Sequence, residues 1–149
     1  MDRIVVIENF LDEDECKYAL DTADYSFIKF KLDRYIKFNI KLKGYSFTEL
    51  SPLKLTRHIS GVNDSNWVTD SNSYISFLLQ LNEDYFRGRF QFLIDDDDKY
   101  FQLPHGAGNL VVYFSNIKNR TTPVENGMKY TIASSVNIIK EEDFKKTLI

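Results

Sequence analysis

Apolar and polar positions alternate in short, distinct runs along most of the chain. Ile4-Val5-Val6-Ile7 is a β-branched tetrad and predicts a strand. Asp12 followed three residues later by Glu15 resembles a capping box, with acids at the positive end of a helix dipole. Leu11, Cys16, Ala19 and Leu20 then supply an apolar stripe, so a helix is expected from about Asp12 to about Ala23. Within residues 25–56, Phe30, Leu32, Ile36, Phe38, Ile40 and Leu42 alternate with Lys31, Lys37, Asn39 and Lys41. That period of two predicts strands with one wet face. Residues 59–73 are polar and turn-rich, and predict a loop. Tyr74 to Leu81, Phe90 to Ile94, Leu110 to Phe114 and Tyr130 to Ile138 read as further strands. Asp95 to Asp98 form an acidic run without EF-hand spacing, read as a solvated hairpin tip. Lys140 to Leu148 reads as a short amphipathic helix or an exposed extension.

Composition sharpens this picture. Twelve Phe, nine Tyr and one Trp make 15% aromatic residues, which favours half-buried sheet over a helix bundle. The 149 residues fit one domain, with a core over about 4–138 and a C-terminal extension over 139–149. Nineteen basic against 22 acidic residues give a net charge of −3. That argues against a protein living by phosphate contacts, and the lysines of 29–43 are read as a solvated face rather than a nucleic-acid stripe. One cysteine, Cys16, excludes an internal disulfide framework and is read as a core residue. No apolar run is long enough to cross a bilayer, and MDRIVVIENF is no secretory signal, so a cytoplasmic protein is expected.

Little conventional chemistry is encoded. His58 and His105 are the only histidines, which removes any three-histidine metal site. There is no nucleophile elbow, phosphate-binding loop or dinucleotide glycine fingerprint. Trp67 in the polar loop is either an exposed binding anchor or a lid on the sheet.

Four landmarks stand in order. They are the opening IENFLDEDECKYAL, the stretch Leu79-Gln80-Leu81-Asn82 with Gly88-Arg89-Phe90-Gln91-Phe92, the strand Gly108 to Ser115, and Thr122-Pro123-Val124 with Gly127-Met128-Lys129-Tyr130. Together they resemble the prolyl 4-hydroxylase-like branch of the iron(II)/2-oxoglutarate-dependent oxygenases. The resemblance implies a mainly β (α+β) fold: a double-stranded β-helix, jelly-roll-like, with an N-terminal helix. It further implies a His-x-Asp pair and a distal His gripping iron, and a basic residue holding the far carboxylate of 2-oxoglutarate.

Carried onto this chain, the resemblance puts His58 in the first histidine place and Ser60 where the carboxylate should stand. Asn119, four residues before Pro123, takes the distal histidine place, and Lys129 takes the carboxylate-binding place. Arg87 and Arg89 replace a Gly and a Glu of the family segment. One imidazole, one hydroxyl and one amide form a poor ferrous site, lacking the carboxylate that offsets metal charge. Asp64 and Asp70 are the candidate substitute ligands, both off the two-residue spacing. His58 and Lys129 also read as an ordinary strand histidine and strand-end lysine, and His105 as a surface or hydrogen-bonded residue.

The leading expectation is a catalytically degenerate oxygenase-like domain serving as a binding or structural module, with no catalytic residue and no cofactor. Such a module has protein partners in a larger assembly, for instance a phage or virus particle, and resides in the host cytoplasm or the virion. The alternative is an active hydroxylase that uses iron(II) and 2-oxoglutarate with atypical ligands.

Overall fold

In a computed structural model of the chain, residues 3–61, 66–70, 73–95 and 99–141 are described. Strand β1 (Ile4–Ile7) leads into helix α1 (Glu13–Thr22) and helix α2 (Ser26–Asn39). Strands β2 (Tyr45–Phe47), β3 (Lys54–Ile59), β4 (Ile75–Gln80), β5 (Phe86–Arg87), β6 (Phe90–Leu93) and β7 (Tyr100–Gln102) follow. The described chain closes with β8 (Leu110–Phe114), β9 (Asn119–Thr121), β10 (Val124–Glu125), β11 (Met128–Val136) and β12 (Ile138–Lys140).

Antiparallel pairing arranges five of these strands in the order β1-β8-β4-β11-β3, and three more in the order β7-β6-β9. Two short pairs, β10-β5 and β12-β2, complete the sheets. Alternation along the strands sorts side chains to the two faces of the five-stranded sheet. Phe77, Leu79 and Ile132 pack with Ile28, Leu32 and Ile36 of α2 and Ala19 of α1. Leu78, Val111, Tyr113 and Ala133 pack instead with Phe90 and Phe92 of β6. The domain is therefore helices, large sheet, small sheet, the jelly-roll arrangement expected of the sequence.

Helix α1 starts where the capping box places it. Asp12 Oδ1 accepts from the Glu15 amide at 2.8 Å, and Glu15 Oε1 from the Asp12 amide at 3.0 Å. Its first turn is wedged to the sheet by Gly108, whose carbonyl accepts from the Leu11 amide at 3.2 Å. Gly108 has φ +86°, and a Cβ there would run into the Leu11 carbonyl oxygen.

Residues 26–39 are not the alternating strand expected but α2, a second helix. Ile28, Leu32 and Ile36 recur every fourth residue and are buried, while Phe30 and Phe38 are 61% and 62% exposed. Aromatics on the solvent face, interleaved with the buried aliphatics, mimic a period of two. Helix α2 lacks a side-chain N-cap, so its stability rests on this buried stripe. The lysines on it are solvated, as expected, with Lys31 tied to Glu15 at 2.8 Å.

Beyond α2 the expected strands recur as β4, β6, β8 and β11. The expected hairpin tip joins β6 to β7, where the Ile94 amide reaches the Lys99 carbonyl at 2.8 Å. Asp96 to Asp98 lie outside the described residues, as do 142–148 of the expected tail helix, whose start at Lys140 belongs to β12.

Candidate functional site

The two polar clusters that matter lie on the inward faces of the two sheets. Lys129 of β11 pairs with His58 of β3, so both side chains share one face of the large sheet. Gln80 pairs with Thr131, two residues along β11, and alternation puts them on that face too. Lys129, Gln80 and Thr131 are 1%, 3% and 2% exposed, and His58 is half-buried.

This is a site of donors. Lys129 Nζ donates to the Gly88 carbonyl at 2.7 Å and lies 5.8 Å from the centre of the Tyr85 ring. Burial, with the Arg89 guanidinium adding to it, pulls the Lys129 ammonium down to about 8. Burial and the Lys129 charge likewise pull His58 below its ordinary value. Gln80 Nε2 is buried without a hydrogen-bond partner among the described residues. Gly88 offers its carbonyl from a sharp turn, since Arg87 and Gly88 have φ of 59° and 65°. A cavity of about 260 Å³ beside His58 is lined also by Thr56, Thr121, Thr122 and Pro123.

The second cluster belongs to the small sheet. Asn119 of β9 is the register partner of Phe92, and its main chain bridges Val68 through bonds of 2.8 and 2.9 Å. Residues 66–70, part of the loop expected over 59–73, thus run beside β9. Asn119 Nδ2 donates to the Ile117 carbonyl at 3.2 Å and to Asp70 Oδ1 at 3.4 Å. Asp70 Oδ2 accepts from the Tyr113 hydroxyl at 2.6 Å. Burial, then the Asp70 charge, holds the Tyr113 phenol well above its ordinary value. Around this chain of bonds Phe90, Phe92 and Tyr113 stack edge to face, with centroids 4.8–6.0 Å apart, filling the space between the sheets.

The candidate residues are thus only partly assembled. His58 and Lys129 stand together. Ser60 is exposed in the turn after β3, and Asn119 is held by the other sheet with Val68, not His58, as its cross-strand neighbour. Asp70 does reach Asn119, and Asp64 lies outside the described residues. No group of three His, Cys, Asp or Glu side chains suited to a metal is found among the described residues.

The remaining candidates have ordinary partners. His105 Nε2 lies 2.9 Å from the Glu83 carbonyl and its ring meets Tyr85 edge-on. Cys16 is buried, as expected, and burial together with nearby acids pushes its thiol up to about 11. The Trp67 ring lies under the Arg120 guanidinium, 4.0 Å from its centre. Gln80 and Thr131 went unrecognised in the sequence. The one available signal was a lone amide at the end of the apolar run from Tyr74 to Leu81.

No protein-family model and no curated protein matches the chain. Solved structures do. A Trichoplax adhaerens prolyl hydroxylase in complex with a hypoxia-inducible factor peptide fragment aligns at TM-score 0.73 and 13% identity, covering 95% of this chain and 86% of that one. A Pseudomonas putida prolyl-4-hydroxylase aligns at 0.67 and 15%, covering 91% and 92%. The viral collagen prolyl hydroxylase of Paramecium Bursaria Chlorella virus-1, in its 2-oxoglutarate complex, aligns at 0.63 and 12%, covering 93% and 97%. The fold is that of the prolyl 4-hydroxylase-like 2-oxoglutarate/iron(II) oxygenases, and at these identities it is the fold that is shared. No described helix is long and apolar enough to cross a membrane.

Proposed function

We propose that this chain is a catalytically degenerate oxygenase-like domain that works as a binding or structural module. The observation that carries this reading is the closed chain Tyr113–Asp70–Asn119. The amide in the distal histidine place donates to Asp70, the described carboxylate nearest to serving as a substitute ligand, and that carboxylate also accepts from a buried phenol. Both groups are committed to each other. His58, the remaining imidazole, stands opposite the Lys129 ammonium, an adverse neighbour for a divalent cation. The described donors therefore do not fit an iron(II) ion.

The Lys129 end supports a binding role. A buried ammonium with a carbonyl partner and a buried amide without one favour a ligand that brings acceptors, and a carboxylate matches both. A similar fold holding 2-oxoglutarate makes that dicarboxylate the first ligand to try. The module then works without turnover, with protein partners in a larger assembly such as a virus or phage particle, in host cytoplasm or virion. A viral protein among the similar folds is in keeping with that setting.

Calorimetric titration with iron(II) and manganese(II) tests the reading. Wild type should bind neither metal better than His58→Ala does, and release no succinate from 2-oxoglutarate. Tight binding that depends on His58, coupled to succinate release that Lys129→Ala abolishes, overturns it in favour of an active hydroxylase with atypical ligands.

A further inference from the structure

The solvent face of α2 has no role in the site just described, and it is built unlike an ordinary wet helix face. Phe30, Arg34 and Phe38 succeed one another at four-residue steps, about 12 Å along the axis, and both rings are mostly exposed. The Arg34 guanidinium lies 5.7 Å from the centre of each ring, and Lys37 Nζ 5.5 Å from that of Phe38. Lys41 and Lys43 continue the basic character past the end of the helix, both exposed. Two large exposed rings cross-braced by cations are the composition of an interface anchor rather than of a solvated surface.

The other end of the same face is its complement. An open groove of about 560 Å³ between α1 and the start of α2 has Tyr18 and Phe27 as its apolar floor and Asp12, Asp14, Glu15 and Asp24 as its rim. Lys31 pairs with Glu15, which leaves three acids on that rim. Among the described residues Asp24 accepts from neutral groups, the Tyr18 and Ser26 hydroxyls and the Ser26 amide, and so keeps its charge. The surface is thus acidic and concave where α1 meets the start of α2, and basic and aromatic at the C-terminal end of α2.

A surface with these two halves at opposite ends of α2 is self-complementary when two copies meet with their α2 helices antiparallel. Phe27 and Phe38 are about 16 Å apart along the axis. A two-fold axis midway along the helix, at the level of Leu32 and Asp33, lays each Phe38 over the groove at the second copy's Phe27. It also brings Lys37 and Lys41 of each copy toward the other's Asp14 and Asp24. An anionic surface, by contrast, would meet Asp12, Asp14 and Asp24 on the very face it has to approach.

We propose that this chain forms a two-fold homodimer through antiparallel α2 helices, Phe38 of each copy seating in the Tyr18–Phe27 groove of the other. This is independent of whether the domain binds iron. Sedimentation of the full chain from low micromolar to several hundred micromolar tests it. The wild type should associate, and added salt should weaken the association. Phe38→Glu should raise the dissociation constant at least tenfold with an unchanged circular dichroism spectrum, since the ring it replaces is exposed. Arg34→Glu with Lys37→Glu, and separately Asp14→Lys, should each be monomeric, yet associate when mixed, because both contacts of the mixed pair join opposite charges. A wild type that stays monomeric throughout, a dimer indifferent to Phe38→Glu, or a mixture that fails to associate overturns the proposal.

Discussion

Lys129 and His58 stand opposite each other on β11 and β3, two basic groups sharing one inward face of the large sheet. The Lys129 charge adds to burial in pulling His58 down, while burial and Arg89 make the ionisation of Lys129 itself a measurable part of the protein's stability.

The Lys129 ammonium is pulled from an ordinary 10.5 to about 8 in the folded protein. Below pH 8 the folded state carries a buried charge that the unfolded chain would hold in water, so the whole cost applies. Between pH 8 and 10.5 the folded protein sheds that proton first and the cost fades; above 10.5 neither state carries the charge. The cost is about 3 kcal/mol at neutral pH. Urea unfolding of wild type and Lys129→Met should therefore show the difference between them narrowing by about that amount as pH rises from 8 to 10.5. A difference that stays constant with pH rules out a destabilised ammonium.

The Tyr113–Asp70 bond joins a buried phenol to a carboxylate at 2.6 Å. Asp70→Asn and Tyr113→Phe should each cost about 2 kcal/mol, since each leaves a part-buried group without its charged or hydroxyl partner. The double variant should cost clearly less than the two together, read from chemical denaturation midpoints in a double-mutant cycle. Additive losses would mean that the two groups do not act through each other.

Two glycines of nearly equal φ should respond very differently. Gly108→Ala drives a methyl into the Leu11 carbonyl, where the entry to α1 meets the sheet, and should cost about 3 kcal/mol or more. Gly44→Ala has open space around it and should cost only about 1 kcal/mol, the local price of a left-handed backbone. Thermal melts of the two variants make the comparison.

The Cys16 thiol, pushed up to about 11 and buried on the core face of α1, should resist alkylation by iodoacetamide at pH 8. In denaturant it should react at the rate of an exposed thiol. Comparable rates in both conditions would show that the first helix opens readily.

Sequence patterns revealed what depends on neighbours along the chain. The Asp12–Glu15 capping box set the start of α1, and the β-branched and aromatic runs set β1, β4, β6, β8 and β11. They failed at α2, where Phe30 and Phe38 occupy solvent positions that a pattern reader assigns to a core. The site was legible in part. The resemblance singles out Lys129 and His58 separately, and only the register of β11 with β3 sets them side by side; the alliance of Asp70 with Asn119 joins residues 49 apart and depends on 66–70 lying against β9. Gln80 stayed hidden because strand β4 is buried on both faces, which erases the alternation that would assign its side to it.

In the order β1-β8-β4-β11-β3 no two neighbouring strands follow one another in the chain. No hairpin can therefore nucleate this sheet, and every pairing must close a long loop before it gains a ladder. Folding should accordingly run on a scale of roughly milliseconds to seconds, with α1 formed early and the sheet last. A nascent chain that has not yet released Met128–Val136 lacks the strand that joins β4 to β3, so the sheet can be completed only after that strand has emerged.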